Sequence, residues 1–451
     1  MGALRWPWRS GPGSGAPLAK GWIPWVACAF LIRLAYVVAT RAWTQGPYWD
    51  FAAIAGSLLG GHGYAAPPGY YWFETYSPTA MQAPLYTFFT AAAYALFGYC
   101  SPAAHLTMQF VQCAASALCL VPLRSIARRF ERPGLEFAAS LGFTLLPSSV
   151  FMTTKLCATT FATLLLLSLV ALVLRIGSDG RPRWIVRLGL LWAGAFLLYP
   201  TIGAFVAGSA LWLAVRAPAA RRLAVWRGLS RALLLTLLLS SPWLARNWIV
   251  FHRWIPGVST FPGVFFAGNN RFATGSQQGF ERWALLHDAE VTAEYPFLKS
   301  LHLLRDEVAV MDRYGEAAWD FVRRQPEQAW LLFVRKLGMF WWRNPDHPLH
   351  GTRAESCYFA SYLLVAGLAL IGAVREVRRP SGRAALEVIL IALLSVSLVY
   401  AVASVGMVRF RMVLEPLLLP PAAAALVWAG ALRPSSRAFR LRVDARRPHV
   451  L

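Results

Sequence analysis

Apolar runs recur along this chain near residues 22–41, 83–98, 103–123, 134–153, 157–175, 184–199, 201–215, 229–250, 328–342, 355–374, 384–405 and 413–432, and short clusters of arginine separate them. A helix of roughly 20 apolar residues matches the hydrocarbon thickness of a bilayer and satisfies its own backbone polar groups where no water is present. With 57% hydrophobic and only 14% charged residues, a water-soluble globule is excluded. The sequence therefore specifies an all-α polytopic membrane protein. A formal net charge of +23 would suggest nucleic acid in a soluble chain. Here the arginines lie between apolar runs instead of along one basic face, so no nucleic-acid partner is expected.

Those arginines set the topology. Cations are retained on the cytoplasmic side, which places Arg124/Arg128/Arg129/Arg132, Arg175/Arg181/Arg183/Arg187, Arg216/Arg221/Arg222/Arg227/Arg231, Arg375/Arg378/Arg379/Arg383 and the tail after Leu432 in the cytosol with the N-terminus. If every run crossed, the first three clusters would fall outside. The conflict disappears when 83–98 and 328–342 lie in the interface, each being shorter than the roughly 20 residues of a perpendicular span. About ten transmembrane helices remain, up to twelve if both short runs cross, with both termini cytoplasmic. Residues 1–21 and 433–451 read as basic tails around one integral-membrane domain, 22–432, and no small-residue cleavage site follows the first apolar run. Two loops, 42–102 and 251–354, then share the far side, and function is expected there.

Cys28, Cys100, Cys113, Cys119, Cys157 and Cys357 have neither paired spacing nor a neighbouring histidine pattern, and read as small core residues. Arg33 falls inside the first apolar run, where a charge is expensive unless partnered. A structural partner is expected for it.

The first far-side loop opens with YWDFAAIAGSLLGGHGY at 48–64. Asp50 stands near the membrane surface, ahead of a short apolar helix that Gly60, Gly61 and Gly63 end. A carboxylate there can act as a general base; it can equally cap that helix. Glu74, in the aromatic-rich segment that follows, is either a second functional carboxylate or a solvated loop acid. His62, in the glycine-rich turn, reads as a turn residue. A phosphate-bearing lipid needs cations at headgroup depth on the side where positive-inside bias removes them. Arg246, Arg409 and Arg411 are such exceptions, and Lys155, Arg271, Lys336 and Arg343 complete the set. Snorkelling to headgroups explains any one of them alone.

In order and spacing these stretches resemble the GT-C glycosyltransferases, specifically bacterial relatives of the dolichyl-phosphate-mannose protein mannosyltransferases and of the lipid A aminoarabinose transferases. The resemblance runs through Asp50 and the glycine-ended stretch to Tyr64, then PLYTFFTAAAYALFG (84–98), SSPWLARNWIVFHRWIPGVSTFPGVFFAGNN (240–270), RRQPEQAWLLFVRKLGMFWW (323–342) and RFRMVLEP (409–416). It implies a GT-C-like fold with interfacial juxtamembrane helices in both far-side loops, in a bacterial inner membrane with the active site extracytoplasmic. It also implies transfer of a sugar from a polyprenyl-phosphate donor to a lipid, glycan or protein acceptor, with Asp50 as the catalytic base. Asn269, in the matched stretch, joins Glu74, Arg246, Arg271, Lys336, Arg409 and Arg411 as candidate substrate-binding residues. Phe51 stands where the mannosyltransferases carry a second acid, and Ile54 where many relatives have tyrosine. No cofactor is required, because the leaving group is already a phosphate; an Asp50 and Glu74 pair would offer the hard oxygens that Mg²⁺ or Mn²⁺ takes. A multispan lipid or polysaccharide transporter or flippase, an O-antigen-type polymerase or ligase, and a non-catalytic anchoring subunit are the competing readings. A transporter should carry ionisable groups near midplane, and these spans are almost charge-free.

Overall fold

The computed structural model describes residues 20–430 except 48, 71–72, 180–182, 277–288, 304–305, 347–349 and 406–408. Nearly all of both tails, together with Arg181, lies outside the described residues. Over the described residues every apolar run is mostly helical. The first half comprises α1 (Ile23–Thr40), α2 (Trp49–Leu59), α3 (Pro84–Phe97), α4 (Pro102–Leu118), α5 (Leu120–Ala127), α6 (Leu135–Leu145), α7 (Pro147–Phe151), α8 (Thr159–Asp179), α9 (Arg183–Leu198) and α10 (Gly203–Arg216). The second comprises α11 (Ala219–Phe251), α12 (Phe261–Gly268), α13 (Ala289–Glu294), α14 (Glu307–Arg324), α15 (Pro326–Trp341), α16 (Arg353–Glu376), α17 (Pro380–Val402), α18 (Arg409–Met412) and α19 (Leu419–Trp428).

Among the described residues six are long and apolar enough to cross a membrane, namely α1, the α4–α5 pair, α8, α11, α16 and α17, and the α6–α7 pair, bent by 48°, makes a seventh. The ten crossings expected from sequence comprise these and the shorter apolar helices α9, α10 and α19. The helices α3 and α15, of 14 and 16 residues, are those expected to lie in the interface. Each buries one face, with Tyr86, Thr90 and Tyr94 on α3 and Leu332, Lys336 and Met339 on α15. Their outer faces expose Leu85, Phe88 and Leu96, and Trp330, Leu331 and Val334, the surface an interfacial helix presents to lipid. One boundary differs from the sequence expectation of a run from 229: α11 begins at Ala219, so Arg221, Arg222 and Arg227 lie on the helix and not in a loop. Arginine is a good helix former, and nothing obliges a helix to stop where its apolar stretch stops.

The bend between α6 and α7 explains Arg33. Pro147 has no N–H, so the Phe143 carbonyl loses its usual helical donor. The Arg33 guanidinium, 0% exposed, supplies one, with Nη2 at 3.1 Å from Phe143 O, Nη1 at 3.4 Å from Thr144 O and Nε at 2.7 Å from Ser116 Oγ. The expected partner is thus a broken backbone. The same repair occurs on α11, where Pro242 removes the donor to Leu238 O and the Ser241 hydroxyl replaces it at 2.7 Å.

The bundle has two chemically distinct ends. At one, arginines of the interhelix clusters pair with acids on other helices, Arg132 with Glu376, Arg124 and Arg128 with Glu136, and Arg216 with Glu387, to which Arg383 adds a pair within α17. Helix α17 starts at this end and, with 23 residues at 1.5 Å each, reaches about 35 Å away to the other. There Val402 and Ala403 meet the large loop, so the loops at 42–102 and 251–354 gather opposite the basic clusters. Free cysteines occur both in the core (Cys113, Cys119, Cys157) and on the outer surface (Cys28, Cys357). The last two correct the reading of all six as core residues.

Candidate functional site

Helix α2 carries Asp50 in its first turn and ends at the glycines, where Gly61 and Gly63 adopt φ of +81° and +72° that a side chain would strain. Beyond it a short antiparallel pairing of Ala65–Ala66 with Ser77–Pro78 closes the aromatic segment into a loop that folds back over the helix. That return brings two donors to Asp50. Its Oδ1 accepts from the Tyr70 hydroxyl, and its Oδ2 accepts from Gln82 Nε2 at 2.7 Å. A carboxylate oxygen has two lone pairs, so each keeps one for an incoming proton. The half-buried carboxylate is therefore fixed in orientation and still able to react.

The segment that presents Gln82 is itself pinned by groups from distant elements. Glu307, at the start of α14 and 1% exposed, accepts from the Thr79 hydroxyl, the Ser259 hydroxyl and the Ala80 N–H, the last at 3.0 Å. Ser259 N–H donates to Ala80 O at 2.9 Å, and Tyr64 O–H donates to Gln82 O at 2.8 Å. Arg246 closes the node, with Nη1 and Nη2 each 2.8 Å from the carbonyls of Thr79 and Tyr64. Burial raises the Glu307 carboxyl above its ordinary value; the Ser259, Thr79 and Ala80 donors and the Arg246 charge oppose that rise.

The structure gives the candidate cations different tasks. Arg246 is the clamp just described. Lys336, 0% exposed, points its ammonium at Gly268 O, Asn269 Oδ1, Val402 O and Ala403 O at 2.9–3.2 Å, and Asn269 Nδ2 adds bonds to Val402 O and Ala403 O at 2.9 and 3.2 Å. Together they cap the last carbonyls of α17, which helical geometry leaves without donors. Gly268 permits this contact, since a Cβ there would lie 2.0 Å from Ala403 O. Burial brings the Lys336 amine down to about 7. Arg411, 4% exposed, bonds Glu415 Oε1 at 3.3 Å, the carbonyls of Phe340 and Trp342 at 3.1 and 2.7 Å, and Tyr358 O–H at 2.9 Å. It thereby joins α15, α16 and α18. Arg271 is exposed and paired with Glu294 at 3.0 Å. Arg343 meets Glu355 at 3.5 Å and covers the Phe359 ring. Glu74 is exposed on the turn before Ser77, and His62 stacks on Tyr76 with ring centroids 3.5 Å apart.

Arg409 and Lys155 are placed differently. Arg409 lies half-buried on α18 beside Phe410, whose ring stacks on Tyr400 with centroids 4.5 Å apart, and the Tyr400 hydroxyl is 3.0 Å from that of Tyr199. Lys155 precedes α8, with Nζ 3.2 Å from Gln45 Oε1, and burial holds its amine below the ordinary lysine value. Two apolar clusters bring these residues toward Asp50. Phe51 packs with Met152, Phe151, Cys157 and Met412 in one, and with Leu156 and Tyr199 in the other. So the neighbours of Asp50, Lys155 and Arg409 converge at the loop end of the bundle.

Sequence reasoning did not single out Tyr70, Gln82 or Glu307. Tyr70 is one of many aromatics in its segment, Gln82 carries no charge, and Glu307 is one acid among many in the large loop. Among the described residues no group of three His, Cys, Asp or Glu side chains is arranged to hold a metal ion.

No family model and no curated protein sequence matches the chain. Solved structures do. The Archaeoglobus fulgidus oligosaccharyltransferase AglB, in complex with an inhibitory peptide and a dolichol-phosphate, aligns over 96% of this chain and 52% of its own, with a TM-score of 0.54 at 13% identity. The apo form of the oligosaccharyltransferase from the same organism aligns over 95% and 52%, with a TM-score of 0.54 at 14% identity. ArnT from Cupriavidus metallidurans bound to undecaprenyl phosphate aligns over 92% and 79% at 15% identity, but with a TM-score of 0.38, too low to define a common fold. The chain spans about half the length of the archaeal enzyme it matches, and over that half it has the GT-C fold anticipated from its sequence.

Proposed function

We propose that this chain is a membrane glycosyltransferase that moves a sugar from a polyprenyl-phosphate donor to an acceptor on the extracytoplasmic face. The observation that carries the reading is the Asp50 carboxylate, oriented by Tyr70 and Gln82 at the end of the bundle opposite the basic clusters. The shared fold supports it, because the archaeal oligosaccharyltransferase was solved with a dolichol-phosphate and with a tethered acceptor peptide. Positive-inside bias supports ten crossings with cytoplasmic termini and places both loops outside.

The reaction is a direct displacement with inversion. An acceptor hydroxyl or amine attacks the anomeric carbon and gives its proton to Asp50. The bond from that carbon to the phosphate oxygen breaks, and the lipid phosphate leaves with the electron pair. A positioned base of this kind contributes typically ~10²–10⁴-fold. Glu307 and Arg246 hold the segment that aims Gln82, while Arg411, Lys336 and Asn269 set the positions of α15, α17 and α18. Arg409 is the arginine we place toward the phosphate. Exposed on its turn, Glu74 is assigned to the acceptor side, as is Arg271. No step requires a metal, since the phosphate departs without protonation.

A structure of the purified protein with a non-hydrolysable polyprenyl-phosphate sugar analogue tests this reading. Sugar density against the Asp50 carboxylate supports it. Density confined to the basic end of the bundle refutes it.

A further inference from the structure

The cations at the loop end divide by what they touch. Arg246, Lys336 and Arg411 bond buried protein oxygens, and Arg271 is neutralised by Glu294. Lys155 meets one neutral side chain, Gln45, and lies 5.0 Å over the Phe151 ring; no carboxylate among the described residues pairs with it. Both contacts tie it to the Asp50 element. Gln45 lies in the short connection leading into α2, and Phe151 shares a cluster with Phe51. Leu156, the next residue along, packs with Phe51 and Tyr199, whose hydroxyl lies 3.0 Å from that of Tyr400.

Its backbone is equally well fixed. Gln112 Nε2 donates to Lys155 O at 3.0 Å while Gln112 Oε1 accepts from Tyr86 O–H at 3.0 Å, and the Tyr86 ring packs edge-on against Phe51 at 4.7 Å. A loop lysine held this firmly to the catalytic element, with its ammonium left on a weak neutral partner, is a cation awaiting an anion. An ion pair with Asp50 would have quenched both groups. Instead the structure keeps the carboxylate on Tyr70 and Gln82 and the ammonium on Gln45. Displacement at an anomeric carbon needs that separation, because base and leaving group stand on opposite faces of one carbon.

We propose that Lys155 receives the phosphate of the lipid-linked donor beside Asp50. The proposal rests on the transferase reading and adds Lys155 to Arg409 at the phosphate. As the bond from the anomeric carbon breaks, its electron pair passes to the phosphate oxygen. The ammonium then hydrogen-bonds the monoester that gains this charge, while the acceptor proton stays on Asp50. A compact ammonium suits a terminal phosphate as a point charge.

The test is binding of a long-chain polyprenyl monophosphate, measured by native mass spectrometry of wild type, Lys155→Ala, Lys155→Gln and Lys155→Arg. The phosphate-free polyprenol and inorganic phosphate serve as competitors. Wild type is expected to prefer the phosphate lipid, the Ala and Gln variants to bind it about ten- to a hundredfold more weakly, and Arg to recover most of the loss. Unchanged affinity in both neutral variants, with the wild-type preference intact, overturns the role of Lys155 and leaves the transferase reading standing. Equal binding of polyprenol and polyprenyl phosphate by wild type overturns both. Displacement by inorganic phosphate at equal concentration assigns the lysine to free phosphate and overturns the proposal.

Discussion

Glu307→Ala tests whether the two loops form one device. The carboxylate accepts from Thr79, Ala80 and Ser259 and faces the Arg246 charge, so alanine strands three donors and an arginine in a buried site. Hydrogen bonds to a charged group contribute about 1.5–3 kcal/mol each, but these share one acceptor and are not additive. Removing one partner of a buried charged node costs about 3–5 kcal/mol. At about 2 °C per kcal/mol for a large domain, the apparent Tm should fall by roughly 6 °C or more. Thermal unfolding in detergent, followed by tryptophan fluorescence at a fixed scan rate, reads this directly. Glu307→Gln keeps an acceptor for Ala80 and Ser259, and Thr79 O–H can turn to accept, so most of the loss should return. The two forms also separate by pH. Burial raises the folded-state carboxyl above its unfolded value, so this contribution to stability is full below the unfolded value and is lost as pH rises through the folded one. Wild type should therefore gain on the Gln variant as pH falls from neutrality toward the ordinary carboxylate range. An Ala variant that melts with wild type refutes the linkage of the loops through this residue.

Gln82→Ala and Tyr70→Phe each remove one donor from Asp50; kcat for transfer should drop about tenfold or more in each, with the apparent KM for donor little changed. Lys336, held down to about 7 against 10.5 unfolded, binds fewer protons folded than unfolded between those values, so stability should rise as pH climbs through that window. Lys336→Met should lack this slope in melting curves taken across the same window. Arg411→Ala should destabilise by about 3–5 kcal/mol through the stranded Glu415, and Arg411→Lys should recover little, because one ammonium cannot reach four partners set out for a fork. Equal melting of Arg411→Lys and wild type would contradict that.

The helices were legible in the sequence because each apolar run carries its own hydropathy signal, and the arginine clusters mark helix ends that gather at one end of the bundle. Asp50 stood out because a carboxylate just past a span, ahead of a glycine-ended helix, is unusual in itself. What surrounds it did not. Glu307 differs from the other loop acids only because Thr79, 228 residues away, and Ser259, 48 residues away, converge on it. Residue spacing carries no trace of that. Lys336 and Arg411 looked like headgroup ligands because cations on the far side are exceptions to positive-inside bias. The structure shows a second reason for such exceptions: a long cationic side chain can satisfy backbone carbonyls at helix ends and breaks, as Arg33 does opposite Pro147. Pairing a proline with its substitute donor requires knowing which helices touch.

The most direct measurement of the central claim is single-turnover transfer from a lipid-linked sugar by purified wild type and Asp50→Asn, with insertion and melting checked in parallel. Asparagine retains the shape of the side chain and loses the capacity to take a proton. The account predicts loss of transfer by about a hundredfold or more in a normally folded variant. Turnover by the variant near the wild-type rate would contradict it.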